Sequence, residues 1–205
     1  MKNSFVTSFG SVQEKPFLLV EVMDESGNTG WGESTAFHAP WYNEETFQTN
    51  LHIIKDFLIP LLLNRNINHP DEVSAIFSPI RKNNMAKAAI EGAVWDLYAK
   101  RNSLPLSQAL GGTFKNIEVG VSIGLQKSSD ELISVVKNYV QAGYKRIKVK
   151  IKPGSDISLI SALREAFPEL PLMADANSAY TLDDIEIFRQ LDQYNLLMIE
   201  QPLGY

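Results

Sequence analysis

The stretch Arg146-Ile-Lys-Val-Lys-Ile-Lys152 sets two kinds of side chain on alternate positions. In an extended chain, a period of two puts Ile147, Val149 and Ile151 on one face and Arg146, Lys148, Lys150 and Lys152 on the other. Taken alone, the pattern suits an exposed edge strand blunted by lysines. Its neighbours point elsewhere. Leu172-Met-Ala174 and Leu196-Leu-Met-Ile199 have no polar face, as strands covered on both sides do. Lysines directed into such an interior are costly unless they are paired or used. One held among cations at low dielectric has a lowered pKa and can act as a base near neutrality.

Outward from this strand the chain is rhythmic. Extended segments at 117–123, 146–151, 170–175 and 196–200 alternate with helical ones at 129–142, 155–167 and 181–191. Thr181 followed by Asp184 resembles a capping box at the last helix start. Strands joined by helices are parallel with right-handed crossovers, which predicts an α/β unit that is either an open doubly wound sheet or a barrel. Polar groups recur at or near the C-terminal strand ends: Ser122, then Lys148 and Lys150, then Asp175 and Asn177, then Glu200. The steps from Lys150 to Asp175 and from Asp175 to Glu200 are both 25 residues, so a βα repeat would set these groups on one rim, where the catalytic groups of parallel barrels gather. No G-x-G-x-x-G or phosphate-binding loop follows a strand, which removes the main support for nucleotide chemistry. Asp175 and Glu200 suit two roles. They are ordinary acids at helix N-termini, or, as an in-phase pair facing two lysines, hard oxygen ligands for Mg²⁺. In the second role the cation would stabilise charge on a substrate carboxylate while a lysine removes the adjacent proton.

Before residue 113 the pattern differs. Pro16 to Asp24 is an apolar run closed by Glu25-Ser-Gly-Asn-Thr-Gly30 and resumed at Trp31-Gly-Glu-Ser34, which predicts a hairpin. Apolar spacings predict a helix over 44–63, bent or ended at Pro60, and another over 84–100 with a stripe of small residues. Gly111-Gly112 reads as a stop, dividing the chain into 1–112 and 113–205. The 205 residues are 44% hydrophobic and 21% charged, with 24 acids against 19 bases and no cysteine. This excludes disulfides and thiolate chemistry, offers no basic footprint for nucleic acid, and fits a globular protein of the cytoplasm. No apolar run reaches the ~20 residues of a bilayer span. His38, His52 and His69 lack metal-ligand spacing, and Ser8 and Ser122 have no triad arrangement around them.

Lys148-Val-Lys150, Ala174-Asp-Ala-Asn177 and Ile199-Glu-Gln-Pro-Leu203, in that order and spacing, resemble the enolase superfamily in its muconate-cycloisomerase-like subgroup. Gly30-Trp-Gly-Glu-Ser34, Pro40-Trp-Tyr42, Met85-Ala-Lys-Ala-Ala-Ile-Glu91, Trp95-Asp-Leu97 and Gly120-Val-Ser-Ile-Gly124 look more narrowly like the o-succinylbenzoate synthases and the N-succinylamino acid and N-acylamino acid racemases. The resemblance covers the whole chain. It implies an α+β capping domain at 1–112 followed by the first βα units of a modified TIM barrel at 113–205. It implies that Lys150 is the acid/base lysine and Lys148 the neighbour that lowers its pKa and helps hold a carboxylate. Asp175 and Glu200 become Mg²⁺ ligands, with Mn²⁺ as an alternative, and Asn177 lies close to the metal. Ser122 lines the substrate pocket. Phe5-Val-Thr-Ser-Phe-Gly10, with Phe5 and Ser8, resembles a mobile capping loop, and the segment from Ala36 to Tyr42, with Trp41 and Tyr42, a second specificity loop. The implied activity is syn dehydration to o-succinylbenzoate in menaquinone synthesis, or two-base racemisation of an N-succinylamino acid. A dipeptide epimerase or muconate cycloisomerase is the alternative within catalysis. The family places a third acidic ligand on the next strand, a second lysine on a later one, and a further strand before the capping loop. The expectation is therefore a fragment, inactive by itself or serving assembly, whose open strand edges favour association with a second copy.

Overall fold

A computed structural model describes residues 4–8, 10–113 and 115–204. By their packing the residues form two units: Glu14–Lys115, and a second that joins the stretch up to Gln13 to the chain from Asn116 onward. The break falls close to the Gly111-Gly112 stop, while the first residues, read from the sequence as part of the capping domain, pack with the second unit. There β1 (Phe5–Thr7) pairs antiparallel with β2 (Gly10–Val12), Val6 opposite Ser11. The resemblance implied a mobile capping loop over Phe5 to Gly10, and the described part of it is a short hairpin. Phe9, within that segment, lies outside the described residues.

In the unit of residues 14–115, β3 (Leu18–Met23) and β4 (Thr29–Ser34) form the expected antiparallel hairpin. Its connection is tied by the Asp24 carboxylate, which accepts from the Ser26 and Asn28 amides at 2.9 Å each, with Gly27 at φ +83°. The long helix splits into α1 (Phe47–Ile53), a π-turn over Ile54–Leu58, and α2 (Ile59–Leu62). Pro60 has no N–H to give, and the wider π-turn just before it absorbs the missing bond without ending the helix. Then come α3 (Asp71–Ile76), α4 (Asn84–Arg101) and α5 (Leu106–Ala109). Leu58, Val73, Phe77, Ala89 and Ile90 form the core, against which Leu18, Val20 and Val22 pack. The buried Glu45 carboxylate accepts from the Met85 and Ala86 amides at 2.9 and 3.1 Å, satisfying donors of the first turn of α4.

In the second unit, β5 (Gly120–Ile123), α6 (Ser129–Gln141), β6 (Arg146–Lys150), α7 (Ile157–Ala166), β7 (Leu172–Asp175), α8 (Ile185–Leu191) and β8 (Ile199–Glu200) follow in turn. The sheet is parallel with spatial order β5-β6-β7-β8. Ile147, Val149, Ile151, Leu172 and Ala174 are buried with Leu132, Val136, Leu159, Ile160 and Leu163 of the helices. Sequential order without a reversal is the pattern of a barrel segment rather than of a doubly wound sheet, which has a switch point. The outer strands are shorter than the sequence pattern suggested. Ile117, Val119 and Leu197 are exposed, because an edge strand is covered by a neighbour on one side alone. The Thr181–Asp184 capping box forms as expected, ahead of α8.

Candidate active site

The parity of β6 decides which side chains meet. With Ile147, Val149 and Ile151 in the core, Lys148 and Lys150 share the other face. The parallel register sets Lys150 opposite Asp175, Asp175 opposite Glu200, and Ser122 opposite Lys148, so residues from four strands converge at their C-terminal ends. Lys150 Nζ donates to Asp175 Oδ2 at 2.6 Å and to Asn177 Oδ1 at 2.7 Å. Lys148 Nζ lies 2.7 Å from Glu200 Oε2 and 3.2 Å from Asp175 Oδ2. Asp175 and Lys150 are buried, their side chains 2% and 7% exposed.

The charges lock one another. Burial pushes the Asp175 carboxyl up, but hydrogen bonds from Lys150 and Lys148 and their charge pull it below the usual carboxylate range. Burial likewise lowers Lys148, and the Glu200 and Asp175 carboxylates outweigh it, raising its pKa above that of a free lysine. The sequence places Asp175 and Glu200 in phase with the two lysines, while a pKa lowered by neighbouring cations is the expectation for a lysine there. The structure sets two carboxylates against them, so Lys148 is a firmly held ammonium ion.

This ammonium ion, lying between the two carboxylates, marks where the site holds positive charge. Asp175 and Glu200 offer hard oxygens on adjacent strands, a donor pair suited to a divalent cation of the Mg²⁺ kind that keeps several waters. Among the described residues no group of three His, Asp or Glu side chains gathers to hold a metal, so these two acids are what this chain presents. His52 and His69 pair instead with Asp56 and Asp71.

Two loops carry the remaining polar groups, and their backbone is constrained. Asn177, Ser178 and Gln201 all have positive φ, at 44°, 61° and 44°, conformations that non-glycine residues hold only where the surroundings fix them. The Asn177 amide donates to Asp175 Oδ1 at 3.1 Å, and Asn177 Nδ2 donates to Gln201 Oε1 at 3.4 Å. The Ser178 amide donates to the Gln201 carbonyl at 2.7 Å. Beneath them, buried Tyr180 donates its hydroxyl to Asp156 Oδ2 at 2.9 Å, and Asp156 Oδ1 caps the start of α7. Burial, then the Asp156 bond, pushes the Tyr180 phenol well above its ordinary value. Gln201, Asp156 and Tyr180 were not picked out from the sequence. The signals were an acid directly before a helix and the Gln of Glu200-Gln-Pro.

The hairpin of β1 and β2 reaches the same cluster. The Phe5 ring centre is 5.7 Å from Lys150 Nζ, and Ser8 Oγ donates to the Asn177 carbonyl at 3.2 Å. Trp41 and Tyr42 belong to the other unit; Trp41 is exposed and Tyr42 meets Phe37 edge-on. That unit also holds a cavity of about 940 Å³ lined by Val20, Val22, Ile90, Leu97 and Arg101, and no candidate residue lines it.

Residues 1–111 match the family described as mandelate racemase / muconate lactonizing enzyme, N-terminal domain, and residues 131–205 match enolase C-terminal domain-like. An o-succinylbenzoate synthase of Geobacillus stearothermophilus is 61% identical over 204 residues, covering 100% of this chain and 54% of that protein. An N-succinylamino acid racemase of Thermus thermophilus is 42% identical over 205 residues, with 100% and 55% covered. A crystal structure of an enolase superfamily member from Listeria innocua superposes with a TM-score of 0.93 at 48% identity, over 98% of this chain and 54% of that one. The chain spans about half the length of the curated relatives it matches.

Proposed function

This chain belongs to the mandelate racemase / muconate lactonizing enzyme family of the enolase superfamily, and from that premise we propose that it supplies the lysine face of an o-succinylbenzoate synthase. The enzyme would remove a proton α to a carboxylate and expel a hydroxyl from the neighbouring carbon. The observation that carries this reading is the buried Lys150 ammonium at 2.6 Å from Asp175 and 2.7 Å from Asn177, on the strand beside that acid.

Asp175 and Glu200 would hold the Mg²⁺ ion, which when bound would stabilise negative charge on the substrate carboxylate. Lys148, kept cationic by its acidic neighbours, would bind a carboxylate oxygen of the substrate. Asn177 orients Lys150 Nζ through its side-chain oxygen. For Lys150 to act as the base, substrate and metal binding would have to relieve its pairing with Asp175 and release its proton to solvent; the amine so formed would take the α-proton as the C–H bond breaks. It would then return that proton to the departing hydroxyl as the ring double bond forms, so that water leaves. A syn elimination needs a single group on one face, and the cluster supplies one. Racemisation of an N-succinylamino acid, the second reading, is supported by the Thermus thermophilus relative, and it requires a further base on the opposite face of the α-carbon.

The test is Lys150→Ala in the complete enzyme, with solvent deuterium exchange into the substrate followed by NMR and Mg²⁺ binding followed by calorimetry. Exchange and dehydration are expected to fall at least about 10²–10⁴-fold, the usual contribution of a positioned base, with metal binding kept. Retained exchange would remove Lys150 from the base role. Asp175→Asn and Glu200→Gln are expected to weaken Mg²⁺ binding, and unchanged affinity in both would remove the metal assignment.

A further inference from the structure

The hairpin of β1 and β2 is set against the lysine cluster at one point of close backbone approach. The Leu125 amide, just beyond β5, donates to the Val6 carbonyl at 2.9 Å. A Cβ placed on the preceding Gly124 would lie 3.0 Å from the Val6 oxygen, 3.2 Å from its nitrogen and 3.5 Å from Phe5 Cδ2. Gly124 is not among the glycines with positive φ, so its backbone conformation is open to any residue. What the position demands is space. The residues that Gly124 admits do two things. Phe5 lies over Lys150, with its ring centre 5.7 Å from Nζ, and Ser8 braces the Asn177 carbonyl. Asn177 in turn bonds the Lys150 ammonium.

We propose that Gly124 is a positioning residue of the lysine site: by lacking a side chain it seats the β1–β2 hairpin, which places Phe5 over Lys150 and Ser8 against Asn177. The inference rests on the reading of Lys150 as the reacting group, and it extends the site to two segments of chain that carry no acid or base. A seated aromatic ring keeps water from the ammonium and strengthens its interactions with the groups that remain.

The experiment is hydrogen exchange read by mass spectrometry on the full chain without added ligand, comparing the native protein with Gly124→Ala, Gly124→Val and Ser8→Ala. Peptides spanning 4–13 and the Leu125 amide should exchange faster in Gly124→Ala and about tenfold faster or more in Gly124→Val, as expected when a local opening equilibrium shifts. Peptides of 146–151 and 172–175 should keep native protection. In parallel, modification of Lys150 by trinitrobenzenesulfonate, located by peptide mapping, should accelerate in Gly124→Val and in Phe5→Ala. Should Gly124→Val fail to fold, Gly124→Ala and Ser8→Ala carry the same comparison with smaller shifts. Native exchange across 4–13 in both glycine variants, or in Gly124→Ala and Ser8→Ala, overturns the seating. Failure of the catalytic reading is seen separately, as absent α-proton exchange in the native enzyme with a fully protected hairpin.

Discussion

Asp175 is the residue on which the charges converge, since Lys150 donates to its Oδ2 and Lys148 Nζ lies 3.2 Å from the same oxygen. Its pKa is lower in the folded chain than in the unfolded one. The stability that follows is present above the unfolded value of about 3.9 and is lost as pH falls through the folded value. Asp175→Asn removes this source of pH dependence. In chelator at pH 7 the substitution is expected to cost about 3 kcal/mol, the lower end for stripping one partner from a buried pair. The gap in urea midpoint between native and variant should close as pH is taken from 7 towards 2, and a constant gap would remove the pairing from the stability of the fold. Lys148 works in the opposite sense. Its raised pKa gives a contribution that is full below the unfolded value of about 10.4 and fades as pH rises through the folded one. At this scale much of the site was legible: alternation in Arg146–Lys152 and the 25-residue steps to Asp175 and Glu200 bring those four side chains together. What the spacing could not tell was how the charges pair. It names the acids and lysines that share a face and leaves open that Lys150 takes Asp175 while Lys148 spans Glu200 and Asp175.

The packing of β4 on α4 is the contact most sensitive to a single atom. A Cβ on Gly32 would lie 1.9 Å from the Ala89 carbonyl oxygen, and one on Gly30 would lie 2.1 Å from that of Ala93. The obstacles are helix backbone, which cannot swing away as a side chain can. The same approach lets the Trp31 amide donate to Asp96 Oδ2 at 2.8 Å, while Lys100 bonds that carboxylate at 2.7 Å, so the helix also satisfies an edge donor of the strand. Gly32→Ala should therefore destabilise by about 3 kcal/mol or more, the upper range for overpacking. Gly92, within α4, has nothing within 4 Å of a built Cβ. Gly92→Ala should stabilise by up to about 1 kcal/mol, through helix propensity and a less flexible unfolded chain. Urea denaturation of the two variants checks both, and equal effects would refute the close-packing account. The spacing Gly30-Trp-Gly32 and the small-residue stripe of α4 were visible in the sequence. That the two fit each other was not, because helix and strand periodicities describe faces and give no crossing point. The π-turn before Pro60 was hidden for a related reason: an apolar repeat of three and four is too coarse to register one extra residue in a turn.

For the molecule as a whole, the parallel sheet ends in strands with one neighbour each. Exposed apolar side chains lie beside them: Ile117 is 76% exposed and Leu197 59%, with Val119, Met198 and Leu203 also exposed, next to the exposed charges of Lys115 and Glu118. The alternation of strands and helices in the sequence established the parallel fold. It overestimated the outer strands at 117–119 and 196–198, since apolar residues extend a strand pattern whether or not a partner covers them. An unpaired strand edge beside exposed apolar residues is a template for another chain. We propose that such an edge draws a second copy of this chain as its partner. In sedimentation velocity the weight-average mass should rise with concentration across the micromolar range, and Leu197→Lys with Met198→Lys should return the chain to its 23.0 kDa monomer mass. These two side chains lie outside the lysine cluster, so the double variant separates assembly from chemistry. If it associates as strongly as the native chain, the β8 edge is not the contact; if the native chain stays monomeric at every concentration, the exposed edges are sufficiently protected by their own geometry and the expectation fails outright.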